Sequence, residues 1–309
     1  MSFEKIKTLG TYAWTPTGDY KECYSDITAN DILRCLDQWS VPPEKIVEDV
    51  TSLAPGQFMT LQPDEYKHIF PHASGRVVSL YIAAKKFGHD LSQIDFLFGG
   101  STLNMFAEKC IPVDGDTKLI AQKCRNVIMV FKHKSYTMDY NLVGYQFERL
   151  VTGKPVEQRH DTTQHERLSL WRIDGHNVMF CAEIDAIDHV GNPVEIKASN
   201  PRQFERQMKV MFQMISSGSE TLVMADRRGN KLDRIRTKTI GDMIAQHSKE
   251  KLNLAQNNIL HCIKILKKNL QNSNGEPYEI DFDDDGKMSV LPSNLSILPD
   301  DNLLAELLD

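Results

Sequence analysis

Apolar and polar residues alternate with a period of two near the middle of the chain, on both sides of a short run of turn-forming residues. Residues 178–181 (Val-Met-Phe-Cys) and 193–194 (Pro-Val) have the composition of short β-strands. The segment 189–192 (His-Val-Gly-Asn) between them contains the Gly and Asn that turns favour. The pattern therefore predicts a β-hairpin.

Four charged residues continue this alternation on the two sides of the predicted turn: Glu183, Asp185, Glu195 and Lys197. A three-residue loop centred on Val190 would place Asp185 opposite Glu195 and Glu183 opposite Lys197. Since the side chains of a strand alternate between its faces, all four would then lie on one face of the hairpin. A shift of the pairing by one residue would divide them between the two faces.

Three carboxylates and one ammonium on one face can be interpreted in two ways. A strand with one solvent-exposed face also alternates charged and apolar residues. For Glu183 or Lys197 alone, that interpretation is preferred. Three like charges held together, however, repel and raise one another's pKa unless a cation neutralises them. We therefore favour a site for hard divalent cations, which bind carboxylate oxygens.

Periodicity and turn residues predict further elements along the chain. Strands are predicted at 94–98, 126–132 and 221–225, around an irregular stretch between the first two, with a last hairpin formed by 278–282 and 287–291. Helices are predicted at 30–40, 76–88, 140–151, 200–216 and most of 240–270. We predict one domain, residues 1–309, in which residues 1–75 form an N-terminal wrapping segment. Residues 76–309 form the core, which ends in the last hairpin and an amphipathic tail.

The composition limits the classes of protein to which the chain can belong. Hydrophobic residues at 41% and charged residues at 25% are typical of a soluble globular protein. A net charge of −6 gives no overall attraction to nucleic acid, so such contacts need a local basic patch or bound metal. The six cysteines form no C-x-x-C pair, as expected for reduced thiols. With no signal-like start and no run of about 20 apolar residues, an intracellular protein without membrane association is expected.

Four short motifs occur together in a fixed order: Gly144-Tyr145-Gln146-Phe147-Glu148, Glu183-Ile184-Asp185, Glu195-Ile196-Lys197 and Gln213. With this set the chain resembles the DXO decapping exoribonuclease family. The similarity extends outside the motifs to residues 6–62, 176–188 and 278–291. It therefore covers nearly the whole chain, but it is weak along most of it. Each motif alone is weak, whereas the ordered set is specific.

The resemblance implies an α/β (α+β) fold with two twisted mixed β-sheets flanked by helices, related to the PD-(D/E)xK nucleases. It implies hydrolysis of phosphate linkages at RNA 5′ ends with one or two Mg²⁺ or Mn²⁺ ions. The substrates implied are unmethylated caps, NAD-type caps, triphosphates and monophosphorylated RNA degraded from the 5′ end. It also implies a role in RNA quality control in the nucleus or cytoplasm, with a 5′-to-3′ exoribonuclease as a candidate partner.

The resemblance further implies which residues hold the metal. Glu183, Asp185 and Glu195 would be direct ligands, and Ile196 would contribute its backbone carbonyl. Glu148 would bind the metal directly or through water. From helix geometry alone, a solvent-exposed side chain is an equally good interpretation of Glu148.

Two further residues receive catalytic roles only through the resemblance. Lys197 and Gln213 would orient the attacking water and the scissile phosphate. On an ideal helix, Gln213 points away from the apolar stripe of its own helix, and a solvated glutamine would do the same.

One position departs from the family. Where the family carries an arginine thought to bind RNA phosphate, this chain has Gly99, and glycine cannot replace a guanidinium fork. The residues 132–134 (Lys-His-Lys) also replace an acidic segment. Metal binding should survive, and RNA affinity or processivity should change. The alternative function is therefore a catalytically weakened RNA-binding or regulatory partner of a 5′-to-3′ exonuclease, and a DNA nuclease is less favoured.

Overall fold

A computed structural model describes residues 3–14, 59–60, 65–68, 73–111, 117–133, 138–141, 143–153, 164–199, 206–228 and 231–298. The predicted helix at 30–40, the start of the helix predicted from residue 200, and the tail after residue 298 lie outside the described residues.

The described elements have the following bounds. The strands are β1 (Phe3–Trp14), β2 (Met59–Thr60), β3 (Glu65–His68), β4 (Phe96–Gly99), β5 (Lys118–Cys124), β6 (Val127–His133), β7 (Met138–Asn141), β8 (Gln164–Ile173), β9 (His176–Glu183), β10 (Ala186–Ile187), β11 (Pro193–Ser199), β12 (Thr221–Arg228), β13 (Lys231–Thr239), β14 (Pro277–Phe282) and β15 (Met288–Pro292). The helices are α1 (Ala73–Lys86), α2 (Thr102–Glu108), α3 (Val143–Thr152), α4 (Arg206–Ser217), α5 (Ile240–Ala245) and α6 (Lys249–Leu270).

Two mixed sheets contain most of these strands. The larger sheet has the order β1-β8-β9-β4-β6-β5-β14-β15, and β4 runs parallel to both of its neighbours. The smaller sheet has the order β10-β11-β12-β13-β2, in which β11 and β12 are parallel. Helices flank both sheets. The predicted fold class of two mixed sheets with flanking helices is therefore confirmed.

The larger sheet is covered on both faces. Phe98 and Phe180 point to the side of α2, α4 and α6, whereas Met179 and Cys181 pack on the other side with α1. Burial on both faces explains why β4 and β9 read as nearly continuous apolar runs instead of alternating ones. At the end of β9, Glu183 emerges from this layer into solvent.

The smaller sheet has its own core, which is built around α3. Val194 and Ile196 on β11 are buried with Phe147 and Val151 of the helix. These two apolar residues of β11 alternate with Glu195 and Lys197. Packing of α3 against β11 therefore brings Glu148, the neighbour of Phe147, to the charged part of the strand.

Two sequence predictions need correction. The stretch predicted to be irregular contains α2 and β5, and α2 was missed because residues 102–107 are all buried, so the helix has no polar face to give an amphipathic pattern. The helix predicted from residue 140 begins at Val143, because Tyr140 and Asn141 lie in β7 and pair with β3. Such a long-range pairing is invisible to local periodicity.

The C-terminal hairpin is confirmed. Strands β14 and β15 pair with each other, and β14 also pairs with β5, which joins this hairpin to the larger sheet. Among the described helices, none combines the length and the apolar character that crossing a membrane requires.

Candidate active site

The charged cluster lies where the chain passes from one sheet to the other. After Glu183 the chain leaves the larger sheet, and it joins the smaller sheet at Ala186. Ala186 pairs with Val194, which is the register predicted for the hairpin. The pairing covers only β10 and the start of β11. Glu183 is therefore not part of this hairpin, contrary to the prediction, and reaches the cluster from the neighbouring sheet.

The turn has the predicted length and is closed by Asp188. The backbone N–H of Asp188 donates to the carbonyl of Asn192 (2.9 Å), so these two residues face each other and residues 189–191 form the predicted three-residue loop centred on Val190. Oδ1 of Asp188 also accepts hydrogen bonds from the backbone N–H groups of Val190 (2.9 Å) and Asn192 (2.8 Å). The facing of Asp188 and Asn192 continues the register of Ala186 with Val194.

Asp185 lies on the short linker between the two sheets and is tied to β11. Its Oδ2 accepts a hydrogen bond from the backbone N–H of Ile196 (2.7 Å) and another from Nζ of Lys197 (3.1 Å). Both contacts depend on the register of the hairpin, so the turn determines where this carboxylate lies.

The Lys197 ammonium bridges two carboxylates. Its Nζ lies 3.1 Å from Oδ2 of Asp185 and 2.7 Å from Oε1 of Glu195, and the Glu195 side chain is only 6% exposed. Burial disfavours the charged ammonium, but the carboxylates of Asp185, Glu195 and Glu148 outweigh it and hold the pKa of Lys197 well above its usual value. The lysine is therefore a fixed internal cation of the cluster.

Burial raises the pKa of all three glutamates of the cluster. Burial, followed by the charge of Asp185, raises the pKa of Glu148 well above its usual range. Burial also raises the pKa of Glu195 to about 7, although Lys197 opposes the rise. Desolvation raises the pKa of Glu183 to about 7, with Arg76 opposing it and Asp185 adding to it. Solvent reaches Glu183, so the enclosed Glu195 carries the larger energetic penalty.

This set of residues fits a divalent cation. Within the described residues, no three His, Cys, Asp or Glu side chains converge as they stand into a group that could hold a metal ion. Asp185 and Glu195 are instead turned towards Lys197. Burial raises the pKa of Glu148 and of Glu195, and the charges of Asp185 and Glu183 add to the rise although Lys197 opposes it. Hard oxygen donors with excess negative charge suit Mg²⁺ or Mn²⁺ once a carboxylate rotates away from the lysine.

The structure does not bring every predicted residue to the cluster. Ile196 contributes its backbone N–H to Asp185, while its predicted role as a carbonyl ligand stays a prediction. Gln213 is half-buried on α4, and no described residue of the cluster forms a hydrogen bond with it. Its predicted role in orienting water and phosphate therefore also stays a prediction.

A second group of charged residues beside the cluster was missed by the sequence analysis. Nε of Arg76 on α1 lies 2.5 Å from Oε1 of Glu166 on β8, and Glu166 is fully buried. Glu166 pairs directly with Glu183 across β8 and β9. No local pattern reveals this group, because its members come from distant segments that meet only in the folded protein.

The glycine pair at the end of β4 has a clear structural basis. A Cβ on Gly100 would lie 2.9 Å from Cβ of Ala182 on β9, so only glycine fits there. Gly99 does not have a positive φ, and its Cβ would lie 3.2 Å from the ring of Phe131. The absence of a side chain at Gly99 is therefore not imposed by the backbone conformation.

Comparison with known proteins shows similarity at the level of the fold. No family profile and no curated protein sequence matches the chain. Candida albicans Rai1 in complex with pU5-Mn²⁺ superposes with a TM-score of 0.66 at 13% identity, over 99% of this chain and 96% of that chain. Scheffersomyces stipitis Rai1 in complex with (3′-NADP)⁺ and calcium gives 0.61 at 12% identity, over 93% and 92%.

A third solved structure, K. lactis Dxo1 in complex with manganese, gives a TM-score of 0.51 at 12% identity, over 92% of this chain and 98% of that chain. The chain therefore has the fold of Rai1 and Dxo1 across nearly its whole length. The resemblance predicted from the motifs is confirmed for the fold.

Proposed function

We propose that the protein is a divalent-metal-dependent hydrolase that acts on RNA 5′ ends. The observation that carries this proposal is the pair of carboxylates, Asp185 and Glu195, that converge on Lys197 within 3.1 Å and 2.7 Å at the junction of the two sheets. The fold supports it, since a solved relative in fold, C. albicans Rai1, was crystallised with pU5-Mn²⁺.

The carboxylates of the cluster would bind metal, and the lysine would orient the reacting groups. Asp185 and Glu195, with Glu183 and Glu148 beside them, would hold one or two Mg²⁺ or Mn²⁺ ions. Such ions lower the pKa of a bound water and neutralise the leaving oxygen. With the carboxylates on the metal, the Lys197 ammonium would be free to orient the attacking water and to stabilise charge that develops on the phosphate.

The substrate class proposed is an RNA 5′ end that carries a phosphate or pyrophosphate linkage. This includes triphosphates, unmethylated caps, NAD-type caps, and monophosphorylated RNA degraded from the 5′ end. Support comes from the ligands of structures with this fold, which include 3′-FADP with S. pombe Rai1 and (3′-NADP)⁺ with S. stipitis Rai1. Both ligands contain a pyrophosphate linkage.

The test is incubation of purified protein and Mn²⁺ or Mg²⁺ with end-labelled RNAs that differ only at the 5′ end. The expected result is metal-dependent release of the 5′ group from at least one of them, and loss of that release in Asp185→Ala. Equal product from the wild type and Asp185→Ala would assign the activity to a contaminant. No product from any RNA would overturn the enzymatic proposal.

A second candidate function is supported by Gly99, because a site without an arginine at this position should bind RNA less tightly. In this case the protein binds RNA 5′ ends without turnover and acts with a 5′-to-3′ exoribonuclease in the nucleus or cytoplasm. The same assay separates the two, since this candidate requires RNA binding without product and a gain in the rate of an added 5′-to-3′ exoribonuclease.

A further inference from the structure

Arg76 is held in place by a carboxylate that has no access to solvent. Nε of Arg76 contacts Oε1 of Glu166 at 2.5 Å, and the Glu166 side chain is 0% exposed. The other oxygen, Oε2, accepts hydrogen bonds from the Tyr12 hydroxyl (2.6 Å) and from Sγ of Cys181 (3.2 Å). Glu166 therefore has an ion pair at Oε1 and hydrogen bonds at Oε2, and these contacts hold the Arg76 guanidinium beside it.

The Arg76 guanidinium lies next to the charged cluster of Glu183, Asp185, Glu195 and Lys197. Glu166 is directly opposite Glu183 in the β8–β9 pairing, so the two side chains share one face of the sheet. The arginine is therefore positioned beside the residue by which the larger sheet contributes to the cluster.

The terminal nitrogens of Arg76 remain available. The side chain is 25% exposed, and no described residue accepts a hydrogen bond from either Nη atom. An arginine that serves only to neutralise a buried carboxylate favours a bidentate contact through two parallel N–H groups. Here the contact is made through Nε, which leaves the planar end of the guanidinium for another acceptor.

We propose that Arg76 binds a phosphate of the RNA strand next to the linkage that is cleaved, and that Glu166 and Tyr12 are positioning residues that hold it there. This inference rests on the proposed function and adds to it Arg76 as the residue that binds the RNA strand. A planar fork of N–H donors matches the oxygens of a phosphodiester, and it is most effective when it is fixed before the substrate arrives.

The test compares RNA binding by four proteins. Arg76→Lys keeps the charge and a partner for Glu166 but loses the fork, and the double variant Arg76→Met with Glu166→Gln removes both charges together so that no buried carboxylate is left unpaired. Arg172→Ala, on the exposed end of the strand that carries Glu166, is the control for loss of a guanidinium away from Arg76. Melting temperatures confirm that each variant is folded.

The probe is 5′-monophosphorylated pentauridylate with a 3′ fluorophore, measured by anisotropy in EDTA at several salt concentrations. Loss of a charge-assisted contact should weaken binding roughly 10-fold or more in both Arg76 variants. The slope of log K against log[salt] should also fall by about 0.7 in the double variant, the value for one phosphate contact on a single strand. A purely structural role would not change this slope, and Arg172→Ala should match the wild type.

Each outcome separates this inference from the proposed function. Wild-type affinity and salt slope in both Arg76 variants would overturn the inference and leave Arg76 as the counter-ion of Glu166, while the hydrolase proposal stands. Weaker binding by Arg172→Ala to the same extent would overturn it too, because the effect would then be a general one of charge. Absence of RNA binding by the wild type would remove the proposed function and this inference with it.

Discussion

Glu195→Gln should make the metal-free protein more stable at alkaline pH, although it removes one partner of an ion pair. Burial raises the pKa of Glu195 to about 7, and this value already includes the opposing effect of Lys197. Between pH 4.5 and about 7 the folded protein therefore holds a proton on this carboxyl group that the unfolded chain has released, and above this range folding must bury the charged carboxylate. Glutamine mimics the protonated form, so the variant does not have to ionise a buried group.

The magnitude follows from the two pKa values. A rise from 4.5 to about 7 corresponds to about 3 kcal/mol in the free energy of unfolding. Because the pKa is raised in the folded state, the wild type loses this stability as the pH increases from 4.5 to 7 and does not recover it above. At pH near 5 the Glu195 side chain contributes little to a difference between the two proteins.

The assay is urea unfolding in EDTA at about pH 5 and about pH 8.5, with the exposed Glu220→Gln as the matched control for a general effect of pH. The variant should exceed the wild type by up to about 3 kcal/mol at the higher pH. Addition of Mn²⁺ at about 1,000 times its Kd should reverse the order, because it then stabilises the wild type by about 4.1 kcal/mol and the variant lacks one ligand.

Three results would each contradict a part of this reasoning. Parallel pH profiles for the wild type and Glu195→Gln would show that Glu195 ionises normally in the folded protein and that Lys197 neutralises the cluster completely. An equal gain from Glu220→Gln would show that the effect arises from the net charge. A variant stabilised by Mn²⁺ as strongly as the wild type would remove Glu195 from the metal ligands.

Three other perturbations test separate parts of the site. Asp185→Ala should abolish metal-dependent hydrolysis of RNA 5′ ends while the circular dichroism spectrum is retained, and unchanged turnover at saturating metal would contradict its role as a ligand. Lys197→Met should destabilise the metal-free protein by roughly 3 to 5 kcal/mol, because it leaves buried carboxylates unpaired; thermal melts should show that Mn²⁺ restores part of the loss, and an unchanged melt would contradict the internal-cation role. Gly100→Ala should cost about 1 to 3 kcal/mol through its clash with Ala182, and Gly99→Ala clearly less, as urea unfolding of the two variants will show; equal costs would contradict this geometry.

The hairpin shows how much of the site the sequence could predict. The alternation of charged and apolar residues specified which side chains share a face, and a turn between two short strands specified the register, so Asp185 and Glu195 were correctly predicted to lie together. The mistake concerned Glu183. Its position in the sequence continues the same alternation, but a change of sheet between Glu183 and Ala186 is not visible in a pattern of period two.

The Arg76–Glu166 pair could not be predicted from the sequence pattern, and the reason is physical. Glu166 is a charged residue in a strand, and local patterning predicts a solvated side chain for it. It is buried because Arg76 neutralises it and Tyr12 donates a hydrogen bond to it, and these partners lie in segments far from it along the chain. Contacts of this kind depend on the tertiary arrangement and not on any local period.

The two ion pairs of the site have different consequences for binding. Lys197 contacts carboxylates that a metal ion would also use, so the ion pair competes with the metal and offsets part of the negative charge of the empty cluster. Arg76 contacts Glu166, whose two oxygens already have partners inside the protein, so binding of a metal would not compete with that pair. In the proposed hydrolase, a bound metal would therefore release the Lys197 ammonium for the reacting phosphate while Arg76 stays fixed. Arg76 would then hold the RNA strand from a position that does not depend on whether metal is present.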